Sequence, residues 1–260
     1  MEELPDGPIA FRGVVDLDRA GLGSGGMLYP AYGVAGFLAA IATHATLVER
    51  SKKAQKSKLQ EEADMVVAPY LDVIKDFRLS ELQQSACALA HQKSQATGSK
   101  EIGSGLRVRS LPIFSITQDH RALVMDDSVT VHAPNSSIPA RELTIRVISP
   151  ARQGKDITEQ WTAEKGAALK ATCVEMLAEG LRIAVESKAA AEDTPFKTFR
   201  FREGSKEKME RAQLVAQRGD RILIRTLRGC LMSVPHPEDG PAAGTSSLAA
   251  APATPTPLVK

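Results

Sequence analysis

Aromatic side chains are scarce in this 260-residue chain: seven Phe, three Tyr and one Trp, 4% in all. A core must then be filled mainly by Ala, Leu, Val and Ile, which favours helices with small, closely packed faces. Cysteine is scarcer still. Cys87, Cys173 and Cys230 are widely spaced and form no CxxC pair. That set supports neither a disulfide framework nor a zinc site, and such cysteines are ordinarily small buried hydrophobes. The histidines, His44, His91, His120, His132 and His236, never fall three or four residues apart, so no helical metal motif exists. No GxSxG elbow and no Walker lysine occurs, and no cysteine has a local activator. The adjacent carboxylates Glu61-Glu62 and Asp126-Asp127 point apart on a helix or strand. We therefore assign no catalytic residue, cofactor-binding residue or metal ligand, and expect no cofactor. The acidic, proline-containing start of the chain lacks the basic-then-apolar order of a secretory signal.

Charge is also missing from one long stretch. Residues 27–48 (MLYPAYGVAGFLAAIATHATLV) contain no Asp, Glu, Lys or Arg. They lie between a glycine cluster at 21–26 and the basic run 49–58. The length suits a bilayer core, and the following Arg50, Lys52, Lys53, Lys56 and Lys58 would mark the cytoplasmic side. Ala, Gly and Thr dominate it, however, and small residues recur at spacing four. Ala35, Ala39 and Thr43 form one row and Gly36 and Ala40 the next. The stretch thus reads as a close-packing helix with a membrane option, its packing residues being Gly36, Phe37, Ala40, Ile41 and His44. The glycine cluster spells GxGxxG literally. A dinucleotide site would need the turn to open straight into a helix and a second strand ending in an acidic residue, and neither follows. A hinge is the better reading.

The remaining periodicities predict an α+β fold. Residues 1–26 form an N-terminal arm and glycine hinge, and 27–93 a long helical region, apolar first and amphipathic after. Residues 106–234 form an α+β domain, and 235–260 a disordered Pro/Ala-rich tail. In the helical region Leu59, Ala63, Val66, Tyr70 and Ile74 make one apolar stripe, with a break expected at Pro69. Ser80 opens a second helix with capping-box spacing to Gln83. Strands are predicted at 106–117, interrupted at Pro112, then at 120–132 and 141–148, as an antiparallel meander. In the second of these, Leu123, Met125, Val129 and Val131 alternate with Val124, Asp126, Ser128, Thr130 and His132, but Asp127 falls on the apolar side. A long helix over 159–191, with Trp161, Leu169, Cys173, Leu177, Leu181 and Ala184 on one face, should cover the sheet. Strands at 196–203, 212–217 and 221–234 follow, with Arg218-Gly219-Asp220 as a tight turn rather than an adhesion ligand.

Residues 196–228 hold ten basic and four acidic residues, an excess of six in a chain of net charge +2. Arg200, Arg202, Arg211, Arg221, Arg225 and Arg228 are the candidate anion-binding set. The reading favoured here is a binding or structural protein of a membrane or cell envelope. It would use the apolar small-residue helix and the basic β surface. Its partners would be a membrane or anionic lipid, and a protein or a second copy along 34–77. The alternative is a soluble, cytoplasmic α+β module that binds nucleic acid or another anion through 196–228. That reading is weakened because Phe199 and Phe201 alternate away from the arginines, so no stacking platform accompanies them. An enzyme whose site is assembled only by the fold is the third reading.

Overall fold

The computed structural model describes residues 9–15, 57–96, 106–134, 139–186 and 194–236. The apolar stretch 27–48, the glycine cluster at 21–26 and the tail from 237 onward lie outside the described residues.

The chain is α+β. Eight strands form one mixed sheet: β1 (Phe11–Gly13), β2 (Arg107–Ile116), β3 (Leu123–His132), β4 (Pro139–Ile148), β5 (Phe196–Glu203), β6 (Lys206–Arg218), β7 (Arg221–Thr226) and β8 (Leu231–Pro235). Their spatial order is β1-β2-β3-β4-β8-β7-β6-β5. The predicted meander is present twice, as β2-β3-β4 and as β5-β6-β7-β8, each with antiparallel pairs. Two parallel contacts complete the sheet. β4 pairs with β8 and joins the meanders, and β1 pairs with β2.

Helical residues 57–64 run into a 3-10 turn at Met65–Tyr70 and a short helix, α1 (Leu71–Ile74). Pro69 lies inside the 3-10 turn, where a regular helix would need its missing amide. Helix α2 spans Leu79–Ala96 and α3 spans Ile157–Glu186. Ser80 lies inside α2 rather than ahead of it, so it is not the predicted cap. Helix α3 is not continuous. Ala163 is extended, and Glu164, Lys165 and Gly166 have positive φ of 51°, 55° and 77°. Gly166 permits this break, because a Cβ there would lie 2.0 Å from Val73 Cγ1 of α1.

The alternation in β3 decides which face the helices cover. Leu123, Met125, Val129 and Val131 share a buried cluster with Leu82 and Ala86 of α2 and with Trp161, Leu169, Cys173 and Leu177 of α3. Tyr70 and Phe77 belong to the same cluster, so residues 57–96 and the sheet have a common core. The far side of the sheet carries a smaller cluster of Val124, Ile148, Phe201, Ala212, Ile222, Ile224, Met232 and Val234. Glu203 of β5 lies within electrostatic reach of Asp126 of β3 and Arg146 of β4, although four strands separate β5 from β3 in the sheet. Flat strands so placed would stand about 24 Å apart. The sheet is therefore rolled, with the far side as its inner face. The tip of the β5–β6 hairpin reaches the β2–β3 turn, where the backbone N–H of Ser205 donates to the Asp119 carboxylate.

Several expectations are corrected by these placements. Strand β2 runs unbroken through Pro112. The Phe114 N–H donates to Ala10 O, toward β1, and β1 pairs only with Phe114 to Ile116. Pro112 faces the same side beyond that pairing, so its missing amide interrupts nothing. The strand predicted at 221–234 is two strands, β7 and β8, folded at 227–230. Strand β6 is longer than 212–217, and Pro235 belongs to β8 rather than to a tail. The Arg218–Arg221 turn is tight as expected, with Gly219 at φ 54°.

Candidate anion-binding face

Strands β5 and β6 pair antiparallel with Arg202 opposite Glu207, Arg200 opposite Met209 and Thr198 opposite Arg211. Directly opposed residues share a face, and alternate residues repeat it. Arg200, Arg202 and Arg211 therefore lie together on the outer face of this hairpin, and all three are exposed. Phe199 and Phe201 turn inward, half-buried and buried. Met209 and Phe196, on the same outer face, are 61% and 41% exposed. Arg200 makes one long ion pair with Glu207, 3.4 Å, between two exposed side chains. Such a pair contributes little and leaves the arginine available.

The other three arginines are placed differently. Arg225 is half-buried on β7, opposite Gln213 of β6, and extends the outer face inward. Arg228 is exposed in the β7–β8 turn. Arg221 shares the face of Arg225 but is drawn into the protein. Its Nε donates to Ser233 Oγ at 2.9 Å, and its Nη2 to the carbonyls of Ile148 and Ser233, both at 2.8 Å. Ser233 Oγ in turn donates to Glu179 on α3 at 2.8 Å, and Glu179 is chelated by Arg182. Arg221 thus ties α3 to the sheet. The predicted packing residues Gly36, Phe37, Ala40, Ile41 and His44 lie outside the described residues.

The fold also assembles polar groups that no local spacing announces. On the inner face Arg146 of β4 grips Asp126 of β3 through Nε–Oδ1 and Nη2–Oδ2 bonds, both 2.6 Å. Glu203 arrives from β5 across the roll. Burial pushes its carboxyl up, while the charges of Arg146 and Lys208 pull it back. Cys230 sits beside this group, and burial pushes its thiol up to about 12. It stays a thiol, so the cluster has no activated nucleophile. A guanidinium bonded to half-buried Asp126, with the buried Glu203 carboxyl nearby, helps hold the rolled sheet in one register, and removing one partner leaves uncompensated charge.

A second cluster clamps the β2–β3 turn. Tyr70 Oη lies 2.9 Å from His120 Nδ1 and 3.5 Å from Thr158 Oγ1. Trp161 Nε1–H donates to His120 O at 2.7 Å, and the Arg152 guanidinium stacks 3.9 Å over the Trp161 ring. His120 holds φ at 62°. Burial pushes the Tyr70 phenol up, so it serves as a donor and not as a base. At neighbouring Asp119 burial alone would raise the carboxyl. Hydrogen bonds from Ser205, Thr117 and the Arg121 N–H outweigh it and lower the pKa to about 2.

Asp127, the polar intruder on the apolar side of β3, is buried under the helices. Ser110 Oγ donates to its Oδ2 at 2.7 Å, while Oδ1 has no partner. Burial pushes its carboxyl up to about 7, against the Ser110 and Leu111 hydrogen bonds. Among the described residues no group of three or more His, Cys, Asp or Glu is placed to hold a metal ion. Among them, too, no helix is long and apolar enough to cross a membrane.

No protein-family model, curated protein or solved structure matches this chain. What the arrangement offers among the described residues is an outer face on which Arg200, Arg202 and Arg211 stand exposed. Asp126, Arg146 and Glu203 escaped sequence reasoning because they come from three strands. Asp127 had a local signal, a carboxylate on the apolar side of a clean alternation.

Proposed function

We propose that this chain is a binding and structural protein of a membrane or cell envelope, and that it receives an anionic partner on the outer face of β5–β6. The apolar stretch 27–48 would supply the membrane contact, in keeping with its length and its basic flank. One observation carries the binding reading. Arg200, Arg202 and Arg211 stand exposed on one face beside exposed Met209 and Phe196, where β2–β4 have helices packed instead. Arginine forks with apolar neighbours are the composition of a recognition surface for acidic groups. Nucleic acid is the weaker partner, because Phe201 is buried and Phe199 half-buried, which removes them as stacking platforms.

Two measurements test this. An Arg200→Ala/Arg202→Ala/Arg211→Ala variant is titrated, beside the parent, with an acidic peptide, anionic vesicles and an oligonucleotide in rising salt. Binding that needs the three arginines and weakens with salt supports the reading; equal behaviour of parent and variant with every probe overturns it. Carbonate extraction of membranes from expressing cells tests the location. Retention in the pellet supports the membrane contact, and full release rejects a spanning segment.

A further inference from the structure

Resting on that reading, we propose that the anionic partner is an extended acidic polypeptide, bound as a further strand along the edge of β5 that no other described strand pairs. Among the described residues strand β5 is the last in the sheet order and pairs with β6 on one side only. An edge strand presents a row of backbone amides and carbonyls that an incoming strand can pair with. The available part is its first half. Phe196 to Thr198 and Arg200 are exposed, whereas Phe201 and Glu203 are buried in the inner face of the roll. The outward side chains beside that edge are Arg200 and Arg202. A strand laid along Phe196 to Arg200 with acidic residues at alternate positions would set one carboxylate across from Arg200 and place the next toward Arg202 at the end of the paired stretch.

Charge selects among possible occupants. A second copy of β5 would bring Lys197, Arg200 and Arg202 of two chains together, which disfavours self-pairing. A lipid headgroup matches the arginines but not the row of backbone groups. An acidic strand satisfies both, while its alternate residues turn to the inner side of the sheet, beside Lys197 and half-buried Phe199.

The test uses the full chain and a short peptide alternating Glu with Val or Thr, against the same peptide N-methylated at alternate amides. N-methylation keeps the charge and removes the ladder donors. The expected result is a loss of about 10- to 100-fold on N-methylation, from two or so bonds at about 1 kcal/mol each. Slowed hydrogen exchange at 196–200 and loss of binding in Arg200→Glu/Arg202→Glu should accompany it. Equal binding of the two peptides, with no new protection in β5, overturns strand addition while leaving charge-driven binding intact. If no anionic probe distinguishes parent from the Arg200→Glu/Arg202→Glu variant, the binding reading falls as well.

Discussion

Strands β2–β4 and strands β5–β6 alternate with the same period of two, yet their outer faces meet different surroundings. On β3 the outer positions are Leu123, Met125, Asp127, Val129 and Val131, all buried under α2 and α3. On β5 they are Phe196, Thr198, Arg200 and Arg202, all exposed. In the first half apolar surface demands cover and draws the helices down. In the second, long charged side chains keep the face in water and blunt an edge that would otherwise template aggregation. One sheet thus holds a half covered by helices and a half whose outer face stays exposed.

The sharpest way to break this comparison is to cut the core under the helices. Trp161→Ala removes a fully buried ring and its hydrogen bond to His120 O, and should cost about 3–5 kcal/mol in chemical denaturation. A loss below about 1 kcal/mol would mean that α3 is not docked as described. Next comes the buried acid. Burial holds the Asp127 carboxyl at about 7, well above the ordinary carboxylate range, so the native state keeps a proton that the unfolded chain releases. Stability from this group is complete below about pH 4 and is lost as pH rises to about 7. The loss is on the order of a few kcal/mol. Asp127→Asn should flatten that part of the stability profile, and an unchanged profile would refute the assignment.

Smaller effects belong to the roll. Asp119→Ala removes the carboxylate that joins the β2–β3 turn to Ser205, and should cost about 1–2 kcal/mol. Here the native pKa is depressed to about 2, so the contribution is present above about pH 4 and is lost as pH falls toward 2. Faster hydrogen exchange at the β5–β6 tip in this variant would locate the effect; a uniform change across the sheet would argue against it. Smallest are the outer arginines. Each of Arg200→Ala, Arg202→Ala and Arg211→Ala should shift stability by no more than about 0.5 kcal/mol. A drop of 2 kcal/mol or more would make that face structural and erase the contrast between the halves.

Much of the fold was legible from residue order. The alternation in β3 and β4 placed their buried sides correctly, and the stripe Trp161–Leu169–Cys173–Leu177–Leu181–Ala184 is buried throughout. The separation of Arg200 and Arg202 from Phe199 and Phe201 followed from period two alone. Less legible were breaks and continuities that depend on neighbours. Pro112 stays inside β2 because β1 ends before reaching it, and α3 breaks at 163–166 where Gly166 packs against Val73. The role of Arg221 could not be read locally, since Ile148, Glu179 and Ser233 come from three other elements.

By itself, the order of residues determined the element types, their buried faces and the excess positive charge at 196–228, because these depend on spacing along one strand or helix. Tertiary structure decided which charges stay in water. It withdrew Arg221 into a bonded network and left Arg200, Arg202 and Arg211 outside. It also brought Glu203 to Asp126 and Arg146 by rolling the sheet. The physical reason is that hydrophobic burial and hydrogen bonding between distant strands set the roll, and no periodicity within a single strand encodes a contact with another strand across it.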